Sequence, residues 1–160
     1  MERTLIWQLA LAFQNMVVPQ QDKALEPIVP MPRLSDCTQA GSEALERLGD
    51  LPSEVVERLN KFFKEGFADA GAAFNPSDFV RDPSVPQRRF LRAYQHGDKW
   101  IIWYEHGGRG YHLHALGMLK WKNRQSPEIS PFAWFGGGNS DHLGAASIAF
   151  FDGVQTSQEM

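Results

Sequence analysis

The sequence predicts a single α+β domain in which N-terminal helices pack on a four- to five-stranded antiparallel meander sheet. Three observations lead there. Up to Phe67 the apolar residues recur at helical spacing, whereas from Arg89 onward they follow a period of two. Between the two regimes lies "NPSDFVRDPSVP", whose three prolines interrupt either kind of backbone ladder. The length, 160 residues, suits one domain with one sizeable core. Helices in one run and strands in the next indicate segregated layers, not alternating βαβ units. The composition is globular, at 42% hydrophobic and 22% charged residues, and its eleven Phe and five Trp supply large side chains for burial.

Residues 1–18 read as an N-terminal helix with Leu5, Ile6, Leu9, Phe13, Met16 and Val17 on one stripe. The alternative is a signal-like segment, since "LIWQLALAF" has the length of a signal hydrophobic region. Against it, "MERT" has no net positive charge and Gln8 interrupts the apolar run. The expected location is therefore cytoplasmic, or secreted or periplasmic if residues 1–20 act as a signal peptide. No segment reaches the roughly 20 apolar residues of a membrane span. Residues 19–36 form a proline-rich connector, because "PQQDKALEPIVPMP" places four prolines in fourteen positions.

The α+β domain proper covers residues 37–160. Ser35 or Thr38 is expected to open a short helix through "EALERL", ended by Gly49. "LPSEVVERLNKFFKEGF" is the clearest helix: Ser53 is its expected N-cap, Glu54 suits its positive end, and Val55, Val56, Leu59, Phe62, Phe63 and Phe67 form the apolar stripe. "RFLRAYQ", "KWIIWYE" and "YHLHALGMLKW" read as three strands, and "SPFAWF" as a fourth that Pro131 confines to an edge or a strand start. "ASIAFF" is either a fifth strand or a helix beginning after Asp141. In outline this order resembles the cystatin-like architecture, a resemblance of shape that implies no function.

Register places the chemistry. A two-residue loop at Gly97–Asp98 pairs Gln95 with Trp100, Ala93 with Ile102 and Leu91 with Tyr104. One face then carries Leu91, Ala93, Trp100, Ile102 and Tyr104, and packs on the helix stripe. The other carries Phe90, Arg92, Tyr94, Ile101, Trp103 and Glu105. In "EHGGRGYHLHA", Glu105 to Ala115, a loop with an even number of residues keeps that parity. It sets His112 and His114 beside Arg92, Trp103 and Glu105, with Leu113 and Ala115 toward the core, and a four-residue loop puts His112 across from Glu105. A three-residue loop would turn both imidazoles into the core, where an unpaired one costs free energy.

The net charge of −3 argues against a nucleic-acid partner, and Arg88, Arg89 and Arg92 read as a solvated edge. Cys37 is the only cysteine, so no internal disulfide forms, and no activating base surrounds it in sequence. His112 and His114 point the same way on a strand, as metal ligands do, with Glu105, Asp141 or His142 as candidate third ligands. The segment resembles the first cupin motif in placing glycine before His-x-His, but Ala115 to Lys120 lack the glutamate that follows in that motif. A His112–Glu105 pair could act as a general base, yet no nucleophile motif accompanies it. Gly136–Gly138 with Asn139 and Ser140 lack the lysine of a phosphate loop and read as a turn.

The expected function is thus a small soluble binding or accessory domain without catalytic residues, metal or cofactor. Its contact face would be Arg92, Tyr94, Trp103, Glu105, His112 and His114, and its partner a protein or a small-molecule ligand. The alternative is a small metal-dependent enzyme built on His112 and His114. If the helix over Leu5–Val17 covers the same face, that face becomes a second small core instead.

Overall fold

In a computed structural model of the chain, the described residues are 29–34, 37, 41–80, 82–120, 128–136 and 140–154. The expected helix over Leu5–Val17 and most of the proline-rich connector lie outside them. Among the described residues, five strands form one antiparallel sheet in chain order: β1 (Glu43–Leu45), β2 (Arg88–His96), β3 (Lys99–His106), β4 (His112–Leu119) and β5 (Glu128–Gly136). Among the same residues, two α-helices accompany it, α1 (Ser53–Phe62) and α2 (Ser140–Phe151). The α+β class follows directly, and among the described residues no helix is long and apolar enough to cross a membrane.

Two segments differ from the expectation. "EALERL" is not a helix: Glu43–Leu45 pairs with Ala93–Gln95 as β1, and a 3₁₀ turn follows at Leu48–Asp50. The open edge of β2 offers unpaired backbone groups, and satisfying them outweighs a weak helical preference. The resulting edge strand is short and carries the exposed Glu43, features that discourage edge-to-edge association. "ASIAFF" belongs to α2, so the fifth strand lies at the other end of the meander. The connection over 137–139 falls outside the described residues.

In α1 the helix starts at Ser53 itself. Pro52 holds the cap position, its carbonyl accepting from the N–H groups of Val55 at 2.9 Å and Val56 at 3.1 Å. Val55 and Leu59 are fully buried against Phe90, Ala93, Trp100, Ile102, Tyr104, Leu116 and Met118. The helix stops at Phe62, which is 40% exposed, but Phe63 and Phe67 continue the stripe beyond it. Their rings stand 5.5 and 5.4 Å from that of Tyr104. Of the expected stripe, Val55, Val56, Leu59, Phe63 and Phe67 pack on this face with Ala93, Trp100, Ile102 and Tyr104, whereas Phe62 stays exposed and Leu91 lies on the other face.

The opposite face is covered as well. Leu143, Ala146, Phe150 and Phe151 of α2 close over Leu91, Tyr94, Ile101, Trp103, Leu113 and Ala115. Trp103 Nε1 donates to Ser147 Oγ at 2.7 Å, and that hydroxyl donates to the Leu143 carbonyl at 2.7 Å. A Cβ at Gly117 would lie 2.5 Å from the Phe150 ring, so this strand position must be glycine for α2 to sit so close. Lys99 Nζ donates to the carbonyls of Phe150 and Phe151 at 3.3 and 2.5 Å, a cation at the negative end of the helix. The mixed aromatic and polar face is thus a second core.

Candidate functional site

The β2–β3 hairpin turns at Gly97–Asp98, with Gly97 at φ 57°, and pairs Gln95 with Trp100 and Ala93 with Ile102. Further along, a bulge between Phe90 and Arg92 shifts the register. Phe90, not Leu91, stands opposite Tyr104, and Leu91 joins Tyr94 and Trp103 under α2. One inserted residue exchanges the two side chains between faces.

The β3–β4 connection settles the histidines. It runs from Gly107 to Tyr111, an odd count, and the register becomes Tyr104 opposite His114, Glu105 opposite Leu113 and His106 opposite His112. His112 and His114 therefore lie on the α1 side, away from Arg92, Tyr94, Trp103 and Glu105. The expected His112–Glu105 pair does not form. Three glycines permit the longer loop. Gly108 and Gly110 have φ of 114° and 125°, and a Cβ at Gly107 would fall 1.9 Å from the Asn75 carbonyl oxygen. Gly107 N–H also donates to the Gln87 carbonyl at 2.8 Å, which fixes the loop against its neighbours.

Glu105 has another partner. Its carboxylate accepts from Arg89 Nε on the adjacent strand and from the Tyr111 hydroxyl at 2.6 Å. Arg89 is not at a solvated edge: both members of the ion pair are fully buried. Its remaining donors reach the Val29 and Ala72 carbonyls at 2.6 and 3.2 Å and the Pro30 carbonyl at 3.2 Å, while its guanidinium lies 4.5 Å over the Phe74 ring. Arg88 bonds Glu65 at 3.1 Å, and Arg92 bonds Glu46 at 3.1 Å. The Tyr94 oxygen accepts from Arg92 Nη1 at 3.2 Å and from the Cys37 N–H at 3.0 Å. Bonds to Tyr94 and Glu46 keep the Arg92 guanidinium above its usual range although burial works against its charge.

On the α1 side, His106, His112 and His114 gather at the turn. The His114 ring lies 5.9 Å from that of His106 and 5.7 Å from that of His112. His112 is exposed, His106 half-buried and His114 buried, its ring stacked on Tyr104 at 4.8 Å and 10°. Burial, and then the nearby charges of His106, His112 and Arg88, push the His114 imidazole down to about 4. His106 is lowered by burial, Arg88 and His112, against a smaller opposing effect of Glu65. Burial lifts the Tyr104 hydroxyl to about 12. His114 is thus housed as a neutral imidazole, which is what makes an odd loop tolerable.

A metal centre would need ligands that converge. Among the described residues no group of three or more His, Cys, Asp or Glu side chains is arranged to hold an ion. Glu105 is committed on the other face, and His142 is exposed on α2, which covers that other face. Sequence reasoning missed His106, Arg89 and Tyr111. The signal for His106 was present in "EHGG", since any odd loop at this turn sets His106 beside the other two. No family model, curated protein or solved structure matches the chain.

Proposed function

We propose that this domain is a binding or accessory module and that its contact surface is the β3–β4 turn with the histidines beside it. The supporting observation is how the turn is held. Tyr111, 41% exposed, ends a loop pinned at Gly107 and tied through the Tyr111 hydroxyl to the buried Glu105, and the exposed His112 opens β4 directly after it. Side chains presented on a fixed support lose little freedom on binding, and Tyr and Arg are enriched at interface hot spots. Exposed Arg109 and half-buried His106 extend the surface. Of the six residues named from the sequence, Tyr94, Trp103, Glu105 and His114 are buried, so His112 and the half-buried Arg92 keep access to a partner.

A protein suits this surface, because exposed Arg109, Tyr111 and His112 stand out from the turn and Tyr and Arg are enriched where proteins meet. The test is the double variant Arg109→Ala/His112→Ala, which removes two exposed side chains and should leave the thermal midpoint in place. Partners cross-linked to the wild-type chain should bind the variant more weakly by about 1–2 kcal/mol. Undiminished affinity would move the contact surface elsewhere.

The second reading, a metal-dependent enzyme using His112 and His114, gains His106 as a neighbour but, among the described residues, no convergent ligand set. Metal analysis of the untagged protein is expected to find no stoichiometric zinc or iron. A stoichiometric ion that disappears in His112→Ala/His114→Ala would reverse the order of the two readings.

A further inference from the structure

We infer that residues 29–34 are a strap that controls the contact turn: docked on Arg89, it completes a bonded path through Glu105 to Tyr111, and its release frees Tyr111 in the β3–β4 turn while the sheet stays folded. The inference adds regulation to the contact surface proposed above, on which it rests.

The strap suits a guanidinium. Pro30 and Pro32 have no N–H to donate, and each restricts the residue before it, Val29 and Met31, to extended backbone. The segment therefore presents carbonyls along a backbone that is set before docking. Arg89 takes two of them in succession, Nη1 donating to the Val29 carbonyl at 2.6 Å and Nη2 to the Pro30 carbonyl at 3.2 Å. The Gly71 N–H adds a bond to the Met31 sulfur, a weak acceptor, at 3.2 Å. Pro30, Met31 and Arg33 stay exposed, whereas Leu34 packs on the α2-side core and Cys37 belongs to it. Release ahead of Leu34 thus costs little and stops there: water replaces two carbonyls at Arg89, and little apolar surface is uncovered.

The same guanidinium ties the strap to the turn. Arg89 Nε donates to the Glu105 carboxylate, which also accepts from the Tyr111 hydroxyl at 2.6 Å. With the strap in place both side chains of the ion pair are fully buried. Polar bonds strengthen where water is excluded and weaken where it competes. Burial, and then the bond to Glu105, hold the Tyr111 hydroxyl above its usual range, so it remains a donor at neutral pH. Once the strap lifts, water reaches Arg89 and then Glu105, and Tyr111 becomes one of several donors competing for the carboxylate. The coupling is reciprocal: a partner bound to the turn tightens the strap, and one that captures the chain ahead of Val29 weakens the turn.

The experiment follows hydrogen exchange of the full chain by NMR at three groups: Arg89 Nε–H under the strap, the Tyr111 hydroxyl in the turn, and the Trp103 indole N–H bonded to Ser147 on the α2 side. The variant Pro30→Gly/Pro32→Gly gives the undocked strap more freedom without touching the path. Exchange at Arg89 and Tyr111 should accelerate together, by roughly four- to thirtyfold for two lost prolines, with Trp103 unchanged. Acceleration at Arg89 with Tyr111 unmoved would overturn the path, and so would acceleration of all three, which signals global opening. If exchange at Arg89 does not change, the hold does not depend on the set backbone and the strap itself is overturned. Tyr111→Phe tests the path from its other end: the Met31 methyl signal should shift toward its position in the glycine variant, and an unmoved signal refutes the coupling. No partner is needed, so a failed strap leaves the contact surface standing, and undiminished affinity in Arg109→Ala/His112→Ala leaves the exchange result intact.

Discussion

At the end of the sheet where β3 turns into β4, the α2 side buries Arg89 against Glu105, while the α1 side buries His114 against Tyr104. Adjacent residues in the strand thus meet the same demand, housing an ionisable group out of water, by different chemistry. Arg89 keeps its charge and uses its donors on a carboxylate and three carbonyls, so removing either partner strands the other. His114 is accommodated without its charge, its ring stacked on Tyr104. The first arrangement depends on composition and the second on pH. That difference separates a structural anchor from a responsive corner within a few ångströms of chain.

The comparison breaks most sharply at Arg89. Arg89→Ala leaves a carboxylate buried without its cation and should cost about 3–5 kcal/mol, measured by chemical denaturation. Arg89→Met/Glu105→Leu should recover much of that loss, and a nearly silent Arg89→Ala would mean the pair is not shielded from water. Next in size is the pH dependence of His114. Its folded value of about 4 lies below the ordinary 6.5, so between these values the unfolded chain binds a proton that the folded chain does not. Stability is therefore complete above about pH 6.5 and falls as the pH drops toward 4, by roughly 3 kcal/mol at about 1.4 kcal/mol per unit. Denaturation midpoints across that range should fall for the wild type and fall less for His114→Phe. The smallest effect belongs to Tyr111→Phe, which removes one donor to the Glu105 carboxylate and should cost about 1.5–3 kcal/mol without altering the pH dependence.

The sequence was most legible where one periodicity governed a whole segment. The strands at Arg88–His96, Lys99–His106 and His112–Leu119, the Gly97–Asp98 turn and the packing of Leu59 and Phe63 on Ile102 and Tyr104 followed from alternation and helical spacing. It failed where a single residue changed parity. The bulge after Phe90 and the five-residue loop before His112 each moved side chains across the sheet, and neither has a local signature strong enough to read. The even loop was preferred because buried histidine is costly, but stacking on Tyr104 and loss of charge reduce that cost. Arg89 misled for a related reason. A run of arginines reads as surface until its partners, one on the next strand and the others on loops distant in sequence, are in place.

The order of elements along the chain has a consequence for biosynthesis. Helix α2 follows all five strands, yet it covers Trp103, Ile101 and Leu113 in the middle of the sheet. As the chain leaves the ribosome, α1 can dock once β2 to β4 have emerged, while the other face of the same strands still presents a broad apolar surface to the cell. Among the described residues, Leu34 and Cys37 reach that surface early, but Leu143, Ala146 and Phe150 complete its cover, and until they arrive it is a target for holdase chaperones and for self-association. A nascent chain stalled before Ser140 would carry a half-finished domain with one face folded and the other adhesive.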